Sequence, residues 1–239
     1  MKLISKKKRR GTTDKTRNVI NGDSKFAIVE GYKSARTSLV FSLVAENNHS
    51  VAVTSWSKGE GKSTATVNLA ISFAKMGKKV LLIDTDLRRP NVHNLLKLKN
   101  GTGLSEMLGQ FANFEDAVYN EVVPYLDVLV AGAIPPNPSE LIGSSAFGSF
   151  MNMVKNQYDY IILDTPPIGV VTDTLLLKDH IAGYVLIVRE KLTTHGDVER
   201  AVQHIKLADS KILGFLKVGC SLNEHRKYKG ANYGYYKYY

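Results

Sequence analysis

The stretch Val51-Ala-Val-Thr-Ser-Trp-Ser-Lys-Gly-Glu-Gly-Lys-Ser-Thr64 runs from a β-branched strand into a glycine-containing turn and then into the start of a helix. Because glycine adopts backbone angles closed to other residues, successive N–H groups of such a turn can point inward at an anion. The helix that follows presents its positive end to the same anion. The pattern predicts a phosphate-binding loop made of Lys58, Gly59, Glu60, Gly61, Lys62, Ser63 and Thr64.

Within this loop, Lys62 and Ser63 carry the chemistry. The lysine supplies a mobile positive charge, and the serine hydroxyl is placed to join a Mg²⁺ ion held between two phosphates. The full pattern G-x-x-x-x-G-K-[ST] requires glycine where this chain has Trp56. Taken alone, the loop therefore also fits a strand-to-helix turn with an incidental lysine.

Composition indicates one folded domain in a reducing compartment. The 239 residues, 44% of them hydrophobic, are enough for one well-buried α/β domain. A single cysteine, Cys220, excludes an internal disulfide and a zinc site built from several cysteines. No apolar run approaches the about 18 residues that span a bilayer. We expect a cytoplasmic protein that is neither secreted nor transmembrane.

The net charge of +10 lies in the two ends of the chain, because residues 26–223 carry equal numbers of acidic and basic side chains. This distribution gives no support to a nucleic-acid-binding face on the domain. We expect residues 1–24 to form a flexible basic tail, since they are too polar to be ordered by burial. Such a tail is either simply solvated or attracted to anionic lipid head groups.

The order of apolar segments predicts the fold class. Residues 25–45 have helical spacing, and residues 25–221 then alternate buried strands with helices, which indicates a doubly wound, mostly parallel α/β sheet of the P-loop NTPase type. The predicted strands are 51–55, 79–84, 126–130, 160–163, 183–188 and 212–216. The predicted later helices lie near 103–109, 144–156 and 195–208. Residues 222–239 leave this pattern.

Two of the predicted strands end in aspartate, at Asp84 and Asp164. Because ligands bind at the carboxyl ends of strands in an open α/β sheet, we expect both side chains to approach the Lys62 loop. Asp164 is placed to hold Mg²⁺, and Asp84 or Asp86 to hold the metal's waters or to take a proton from an attacking hydroxyl. Each aspartate alone is more typical of a helix N-cap or a loop residue, and it is their combination with Gly61, Lys62 and Ser63 that favours a site.

The combination of Lys62 and Ser63 with Asp84-Thr-Asp-Leu-Arg-Arg-Pro90, Ile134-Pro-Pro-Asn-Pro-Ser-Glu-Leu141 and Asp164-Thr-Pro-Pro167 resembles the bacterial tyrosine kinases of capsule and exopolysaccharide synthesis. The resemblance runs from about Glu30 to Val218. It implies Mg²⁺ and ATP as cofactors, tyrosine as acceptor, and Arg88 as a residue that holds the loop near the nucleotide. It also implies a transmembrane activator or polysaccharide co-polymerase that recruits the chain to the inner face of the membrane, and a cognate tyrosine phosphatase.

Two segments depart from the pattern of these kinases. Glu30, Lys33 and Arg36 resemble a segment used for ring-like self-assembly, but Lys33 replaces an arginine and loses its planar fork. Val218 stands where an asparagine often reads the nucleotide base. We therefore expect a homo-oligomer with an altered contact and leave the strictness of the adenine preference open.

The chain ends in a cluster that holds half of its twelve tyrosines: Tyr228, Tyr233, Tyr235, Tyr236, Tyr238 and Tyr239. From composition alone this is either an adhesive low-complexity tail or a set of phosphate acceptors. The resemblance implies autophosphorylation between neighbouring protomers. Each phosphate adds roughly −1.5 to −2 charges, so a few would reverse the basic charge of this tail.

The alternative function is a regulatory ATPase of the partition or division-site type, which transfers nothing to protein. Those ATPases resemble this core, but their extra lysine lies where this chain has Ser57, and Lys58 is one position out of register. They also lack a terminal tyrosine cluster. A tether without enzymatic activity is a third class, but it leaves the lysine and the aspartates without a purpose.

Overall fold

The computed structural model describes residues 19–44, 46 and 48–220. Its helices are α1 (Phe26–Leu43), α2 (Lys62–Ala74), α3 (Val92–Leu96), α4 (Leu104–Leu108), α5 (Phe114–Ala117), α6 (Pro138–Ile142), α7 (Ser145–Lys155) and α8 (His195–Leu207), with a 3₁₀ helix at Asp173–His180. Its strands are β1 (Ser50–Ser55), β2 (Val80–Asp84), β3 (Val118–Val123), β4 (Leu126–Leu129), β5 (Tyr160–Asp164), β6 (Gly183–Arg189) and β7 (Ile212–Val218).

The strands form one sheet in the order β3-β4-β2-β5-β1-β6-β7. Every neighbouring pair is parallel except β3 and β4, which are antiparallel. The sheet confirms the prediction of a mostly parallel fold, and each of its six parallel strands lies where the apolar segments predicted it. Strand β3 at the edge was not predicted.

Helices cover both faces of the sheet, so the core has two halves. On one face, Leu39 and Leu43 of α1 pack with α2, of whose thirteen residues eleven are buried. On the other face, Phe147 of α7 and Ile205 of α8 pack with the opposite side chains of the strands. This two-sided cover explains why β1, β2 and β5 read as continuous apolar runs. It also fixes α2, which begins directly after the phosphate-binding loop.

The predicted tails fall largely outside the described residues. Residues 1–18 and 221–239, which include all six clustered tyrosines, are not among those described. Within the predicted basic tail, however, Ile20 is buried, and its N–H donates to Asn68 Oδ1 of α2 at 2.8 Å. A buried hydrogen bond and an apolar side chain thus anchor the start of the described chain to α2. No helix in the described part is long and apolar enough to cross a bilayer.

Candidate active site

The loop between β1 and α2 has the conformation that its glycines predicted. Gly59 and Gly61 have positive φ angles of 81° and 92°, and Gly61 is the residue before the first turn of α2. The first N–H groups of α2 therefore point out of the helix end toward the carboxyl edge of the sheet, where they can bind an anion. Side chains or backbone of Lys58, Gly59, Gly61, Lys62, Ser63 and Thr64 line the cavity at this edge.

Trp56, which replaces the first glycine of the loop pattern, turns away from this cavity. Its ring lies over Gly169, where an added β-carbon would approach within 2.6 Å, and it packs edge-on against His204 at 5.3 Å between ring centroids. The guanidinium of Arg200 lies 5.1 Å from the same ring. The loop therefore keeps its phosphate-facing shape with only two positive-φ glycines.

Lys62 lies between two of the predicted aspartates. Its Nζ atom is 3.0 Å from Asp86 Oδ2 and 3.7 Å from Asp164 Oδ2. Burial by itself lowers the pKa of Lys62, but the attraction of Asp164 and Asp86 outweighs burial, and the pKa is raised above the ordinary lysine value. The lysine is thus a charged group held at the carboxyl edge of β5.

Asp164 is buried and keeps unused bonding capacity. Its Oδ1 accepts from the Thr66 hydroxyl at 3.1 Å, whereas Oδ2 accepts no hydrogen bond among the described residues. Burial raises the pKa of Asp164, and the Lys62 charge and the nearby Ser63 hydroxyl oppose that shift without cancelling it. A buried carboxylate oxygen without a donor is costly, which makes it a strong candidate for binding a cation.

Asp84 and Asp86 differ more than their spacing suggested. Asp84 is directly opposite Asp164 in the register of β2 and β5, and it accepts from the backbone N–H groups of Asn91 and Val92 at 3.0 Å each and of Asp86 at 3.2 Å. Burial, reinforced by the charge of Asp164, raises the pKa of Asp84 to about 8. Asp84 holds the turn after β2, whereas Asp86 lines the cavity.

Glu60 also serves the loop and not the cavity. It is fully buried, its Oε2 accepts from the Ser57 N–H at 3.0 Å, and its Oε1 accepts from the Thr193 hydroxyl at 2.6 Å. A negative charge facing bound phosphates would repel them. The structure instead turns this carboxylate toward the loop between β6 and α8, which ties the two loops together.

Arg88 forms a network that links three separate segments. Its Nε and Nη2 donate to the two carboxylate oxygens of Asp173 at 2.6 and 3.1 Å, and Nη2 also donates to Ser139 Oγ at 3.0 Å. The Ser139 hydroxyl donates to Asp173 at 2.7 Å. Burial by itself raises the pKa of Asp173, but these donors outweigh it and the pKa is lowered. Arg88 therefore holds the turn after β2 against α6 and the 3₁₀ helix.

Lys62, Asp86 and Arg88 are among the residues that line a cavity of about 810 Å³. This volume lies in the ordinary range for small-molecule sites, about 300–1,000 Å³. Among the described lining residues, Asp86 is the only acid, against five cations: Lys58, Lys62, Arg88, Arg89 and Arg189. The charge balance suits a polyanion such as a nucleotide triphosphate.

The site also fits a magnesium ion that the protein would bind together with the phosphates of a nucleotide. No cluster of three or more His, Cys, Asp or Glu arranged to hold a metal occurs in the described ranges. Mg²⁺ in phosphate sites is usually bound by one or two protein oxygens, phosphates and waters, so such a cluster is not required. Ser63 and the unbonded oxygen of Asp164 are the groups that fit this role.

The segment predicted for self-assembly lies on α1. Lys33 Nζ is 2.8 Å from Glu30 Oε1, and both side chains are about half exposed. Arg36 is turned inward, where its Nη1 donates to the Ser72 carbonyl of α2 at 2.8 Å. Arg36, one of the three residues predicted to contact another protomer, is thus already hydrogen-bonded within its own chain.

Four residues at the site were not found by sequence reasoning: Ser139, Asp173, Arg189 and Thr193. Ser139 lay inside a segment that supported the resemblance, but nothing in the sequence gave it a partner. Asp173 begins the 3₁₀ helix, Arg189 ends β6 and Thr193 lies in the loop after β6, and none of the three belongs to a motif. Only the strand order, which brings the ends of β5, β1 and β6 together, reveals their proximity to the phosphate-binding loop.

A parallel sheet with this loop and strand-end aspartates defines a nucleotide-binding protein of the P-loop NTPase class. The AAA domain family matches residues 48–217. The tyrosine-protein kinase YwqD of Bacillus subtilis is 38% identical over 230 residues, which cover 96% of this chain and 95% of YwqD. The chimerical protein CapA2B2 has a solved structure with a TM-score of 0.78 and 34% identity, covering 82% of this chain and 86% of that one. The chain therefore belongs to the AAA domain family and, within it, to the bacterial tyrosine kinases.

The alternative class is a more distant match. The septum site-determining protein MinD of Pyrococcus horikoshii, solved in complex with Mg-ADP, has a TM-score of 0.59 and 25% identity. The matched region covers 70% of this chain and 68% of the MinD chain. The division-site ATPases share the fold, but the kinases match this chain more closely in both sequence and structure.

Proposed function

We propose that this chain is a Mg²⁺- and ATP-dependent protein-tyrosine autokinase that regulates capsule or exopolysaccharide synthesis. The observation that carries the proposal is the position of Lys62, which lies between Asp86 and the unbonded oxygen of Asp164 at the wall of a cationic cavity. Phosphoryl transfer requires positioning and charge stabilisation more than covalent chemistry from the protein. This group of side chains provides both.

The roles follow from the contacts. The N–H groups of the loop and the first turn of α2 bind phosphates, and Lys62 stabilises the charge that develops during transfer. Ser63 and Asp164 would hold Mg²⁺, which would neutralise phosphate charge. Arg88, fixed by Asp173 and Ser139, keeps the turn that carries Asp86 at the cavity wall.

Asp86 is the better candidate for the base. A tyrosine hydroxyl, with a pKa of about 10, is a poor nucleophile at neutral pH until a carboxylate accepts its proton. The tyrosine oxygen then forms a bond to the γ-phosphorus, the bond to the β-phosphate oxygen breaks, ADP leaves, and the proton stays on the carboxylate. Asp86 lines the cavity, whereas Asp84 is occupied by three backbone N–H groups.

The acceptors we propose are the six clustered tyrosines, with transfer between protomers. These residues lie outside the described part of the chain. An extended chain spans about 3.3 Å per residue, so the contour length of residues 222–239 is at most about 60 Å. The direction of transfer is a matter for experiment.

Recruitment and self-assembly complete the proposal. A cytoplasmic segment of a transmembrane activator would bind near the nucleotide and bring the chain to the inner face of the membrane, and a cognate phosphatase would reverse the reaction. Glu30 and Lys33 of α1 are exposed enough to pair with another protomer in a ring, while Arg36 supports α2. An added phosphate on the terminal tyrosines would then repel neighbouring carboxylates and loosen the assembly.

The test is to incubate the purified chain with Mg²⁺-ATP, with and without candidate activator segments, and to map phosphate by mass spectrometry. The proposal predicts phosphotyrosine within residues 222–239 and stimulation by a matching segment. Release of inorganic phosphate without any phosphotyrosine, under every condition, would instead indicate a regulatory ATPase.

A mixing experiment tests the direction of transfer. A Lys62→Met chain is combined with a chain whose six terminal tyrosines are changed to phenylalanine, which keeps each ring and removes the nucleophile. Label on the tail of the Lys62→Met chain requires transfer between protomers. Absence of label in the mixture, when the native chain is labelled, would restrict transfer to a chain's own tail.

A further inference from the structure

The cavity at the carboxyl edge of the sheet has two unlike halves. The half formed by the phosphate-binding loop and Arg189 of β6 has no apolar side chain among its described lining residues. The apolar side chains in the described lining all belong to the segments that follow β2 and β5: Pro90, Leu95, Pro166, Pro167, Val170 and Val171. The first half suits a triphosphate, whereas the second half suits an apolar group.

The first wall of the apolar half is the turn after β2, which contributes Pro90 and Leu95. Asp84 and Asp86 fix the backbone of this turn, because their carboxylates accept three of the N–H groups that follow Asp86, at 3.0 Å each. Leu95 is anchored in the core of the domain. This wall is therefore held in place by hydrogen bonds and by packing.

The second wall is the turn after β5, which contributes Pro167, Val170 and Val171. The N–H groups of both valines donate to the Pro167 carbonyl, at 3.1 and 3.3 Å. The Gly169 N–H donates to the Trp56 carbonyl at 3.1 Å, and the Trp56 ring covers Gly169. Val170 is nevertheless 55% exposed, so a fixed wall presents apolar surface that the described chain does not cover.

An ion pair joins the two walls. Arg88 lies two residues before Pro90, and Asp173 lies two residues after Val171. Arg88 Nε and Nη2 donate to the two carboxylate oxygens of Asp173 at 2.6 and 3.1 Å. The bidentate contact restrains the spacing of the two walls, because such a pair fixes orientation as well as distance.

Asp86 lies where the two halves of the cavity meet. Its Oδ2 accepts from Lys62 Nζ of the phosphate-binding half at 3.0 Å, and it begins the turn that forms the first wall. A group that binds between the walls and also reaches Asp86 needs an apolar body and a polar tip. The side chain of tyrosine has this form, whereas serine and threonine carry a hydroxyl without a ring.

We propose that the two walls form an acceptor subsite, in which a tyrosine ring from residues 228–239 binds between Pro90 and Val171 with its hydroxyl at Asp86. The inference rests on the proposed function, because it names the substrate pocket of the same site. Burial of the ring against the exposed valine surface supplies affinity that a serine side chain cannot provide. The subsite thereby selects tyrosine as the acceptor.

The first test adds peptides to the full chain at saturating Mg²⁺-ATP and follows phosphotyrosine formation on the chain itself. Both peptides comprise residues 222–239, with the six tyrosines changed to phenylalanine in one and to serine in the other. The phenylalanine peptide keeps the rings and cannot accept phosphate, so it should inhibit. The serine peptide has the same charge and length, but it should inhibit at least about tenfold less, the lower end of the range for apolar groups missing from a pocket.

The second test changes the second wall. Val170→Ser combined with Val171→Ser should lower phosphotyrosine formation and weaken inhibition by the phenylalanine peptide, each by about tenfold, while calorimetry shows unchanged affinity for Mg²⁺-ADP. Val170→Ile combined with Val171→Ile keeps the wall apolar and should retain transfer. Leu192→Ser is the matched control, because Leu192 is 51% exposed in the loop after β6, and it should change neither quantity.

Three results would overturn the inference: equal inhibition by the two peptides, native transfer in the double serine variant, or an affinity of that variant for Mg²⁺-ADP that falls by about tenfold. The third result would place the nucleoside in the apolar half. Phosphotyrosine formation by the native chain, beside any of these, would leave the proposed function standing. If the folded native chain binds Mg²⁺-ADP but forms no phosphotyrosine with any activator segment, the proposed function fails and this inference fails with it.

Discussion

The two edges of the central sheet both bury an aspartate, but they use it differently. At the amino edge, Asp127 of β4 accepts from the Tyr158 hydroxyl at 2.8 Å and from the Glu121 N–H at 2.7 Å, so each of its carboxylate oxygens has a donor. At the carboxyl edge, Asp164 leaves one oxygen without a hydrogen bond beside Lys62. A buried acid whose oxygens are satisfied stabilises a fold, whereas one with an oxygen to spare can bind a ligand.

Two aspartates on a single edge differ in whether they face the cavity. Asp84 lies at the carboxyl edge directly opposite Asp164, yet its oxygens accept from three backbone N–H groups, which makes it similar to Asp127. Asp86, two residues later, also has a donor on each oxygen, from the Arg89 N–H at 3.0 Å and from Lys62 Nζ at 3.0 Å, but it lines the cavity. Position at the ligand-binding edge is therefore not sufficient, and access to the cavity decides which of the two aspartates can reach a substrate.

The largest effect is expected from Lys62→Met. Loss of the lysine charge should lower phosphotransfer per folded molecule by about 10²–10³, the range for removing one preorganised charge stabiliser. It should also destabilise the fold, because Asp86 and Asp164 lose their buried cation. The measurement is the rate of phosphotyrosine formation, normalised to folded protein from circular dichroism. Lys58→Met, an exposed lysine on the same cavity, is the control and should lose less than about tenfold because its charge is screened.

A smaller but more discriminating effect is expected from comparing Asp86→Asn with Asp84→Asn. Asp86→Asn should lower the rate constant for transfer by about 10² or more, since it removes the base. Asp84→Asn should instead lower the free energy of unfolding by about 1–3 kcal/mol, because an amide NH₂ would face backbone N–H groups. Transfer rates under saturating nucleotide and urea denaturation measure the two effects. A greater loss of transfer in Asp84→Asn than in Asp86→Asn would reverse the assignment of the base.

The smallest effect concerns pH and the Arg88 network. Because the pKa of Asp173 is lowered in the folded state, its contribution to stability is present above the unfolded pKa of about 3.9 and is lost as pH falls through the folded value. The stability of the native chain should therefore fall more steeply below about pH 4 than that of Asp173→Asn. Thermal unfolding across this acid range measures the difference. Parallel curves for the two proteins would show that the Arg88 contact does not favour the charged form of Asp173.

Much of the fold could be predicted because its parallel strands are buried on both faces and so appear as apolar runs. Strand β3 escaped notice because it is a partly exposed edge strand with Asn120 and Glu121 at its centre, and its pairing with β4 is irregular. Its side chains neither alternate strictly nor form an apolar run. Hydrogen bonds to the neighbouring strand, which leave no mark in the sequence, define it.

The candidate site was predictable where contiguous residues carry the function. Lys62 and Ser63 follow the turn glycines, and Asp164 ends an apolar strand, so their proximity follows from the topology of a parallel sheet. The hydrogen bond of Glu60 with Thr193 could not be predicted, because the loop pattern assigns every residue of the loop to phosphate binding. Nor could the distinction between Asp84 and Asp86, since it depends on which backbone N–H groups the turn after β2 brings within reach.

The most direct test of the account compares Asp164→Asn with Asp127→Asn, with the Mg²⁺ dependence of phosphotyrosine formation and the thermal unfolding midpoint measured on each. For Asp164→Asn we predict that phosphotransfer falls by about 10² or more and that its Mg²⁺ dependence weakens, since the substitution removes the carboxylate charge that would hold the metal. Its unfolding midpoint should fall less than that of Asp127→Asn, because the gain from removing a charge whose pKa burial raises offsets the loss of one of the two carboxylates beside Lys62.

For Asp127→Asn we predict near-native transfer per folded molecule and a midpoint lower by several degrees, since about 1–3 kcal/mol is lost when a buried donor is left without its acceptor. The reverse result would contradict the account. Native Mg²⁺ dependence with the larger fall of the midpoint in Asp164→Asn, beside lost transfer in Asp127→Asn, would place the chemistry at the other edge of the sheet.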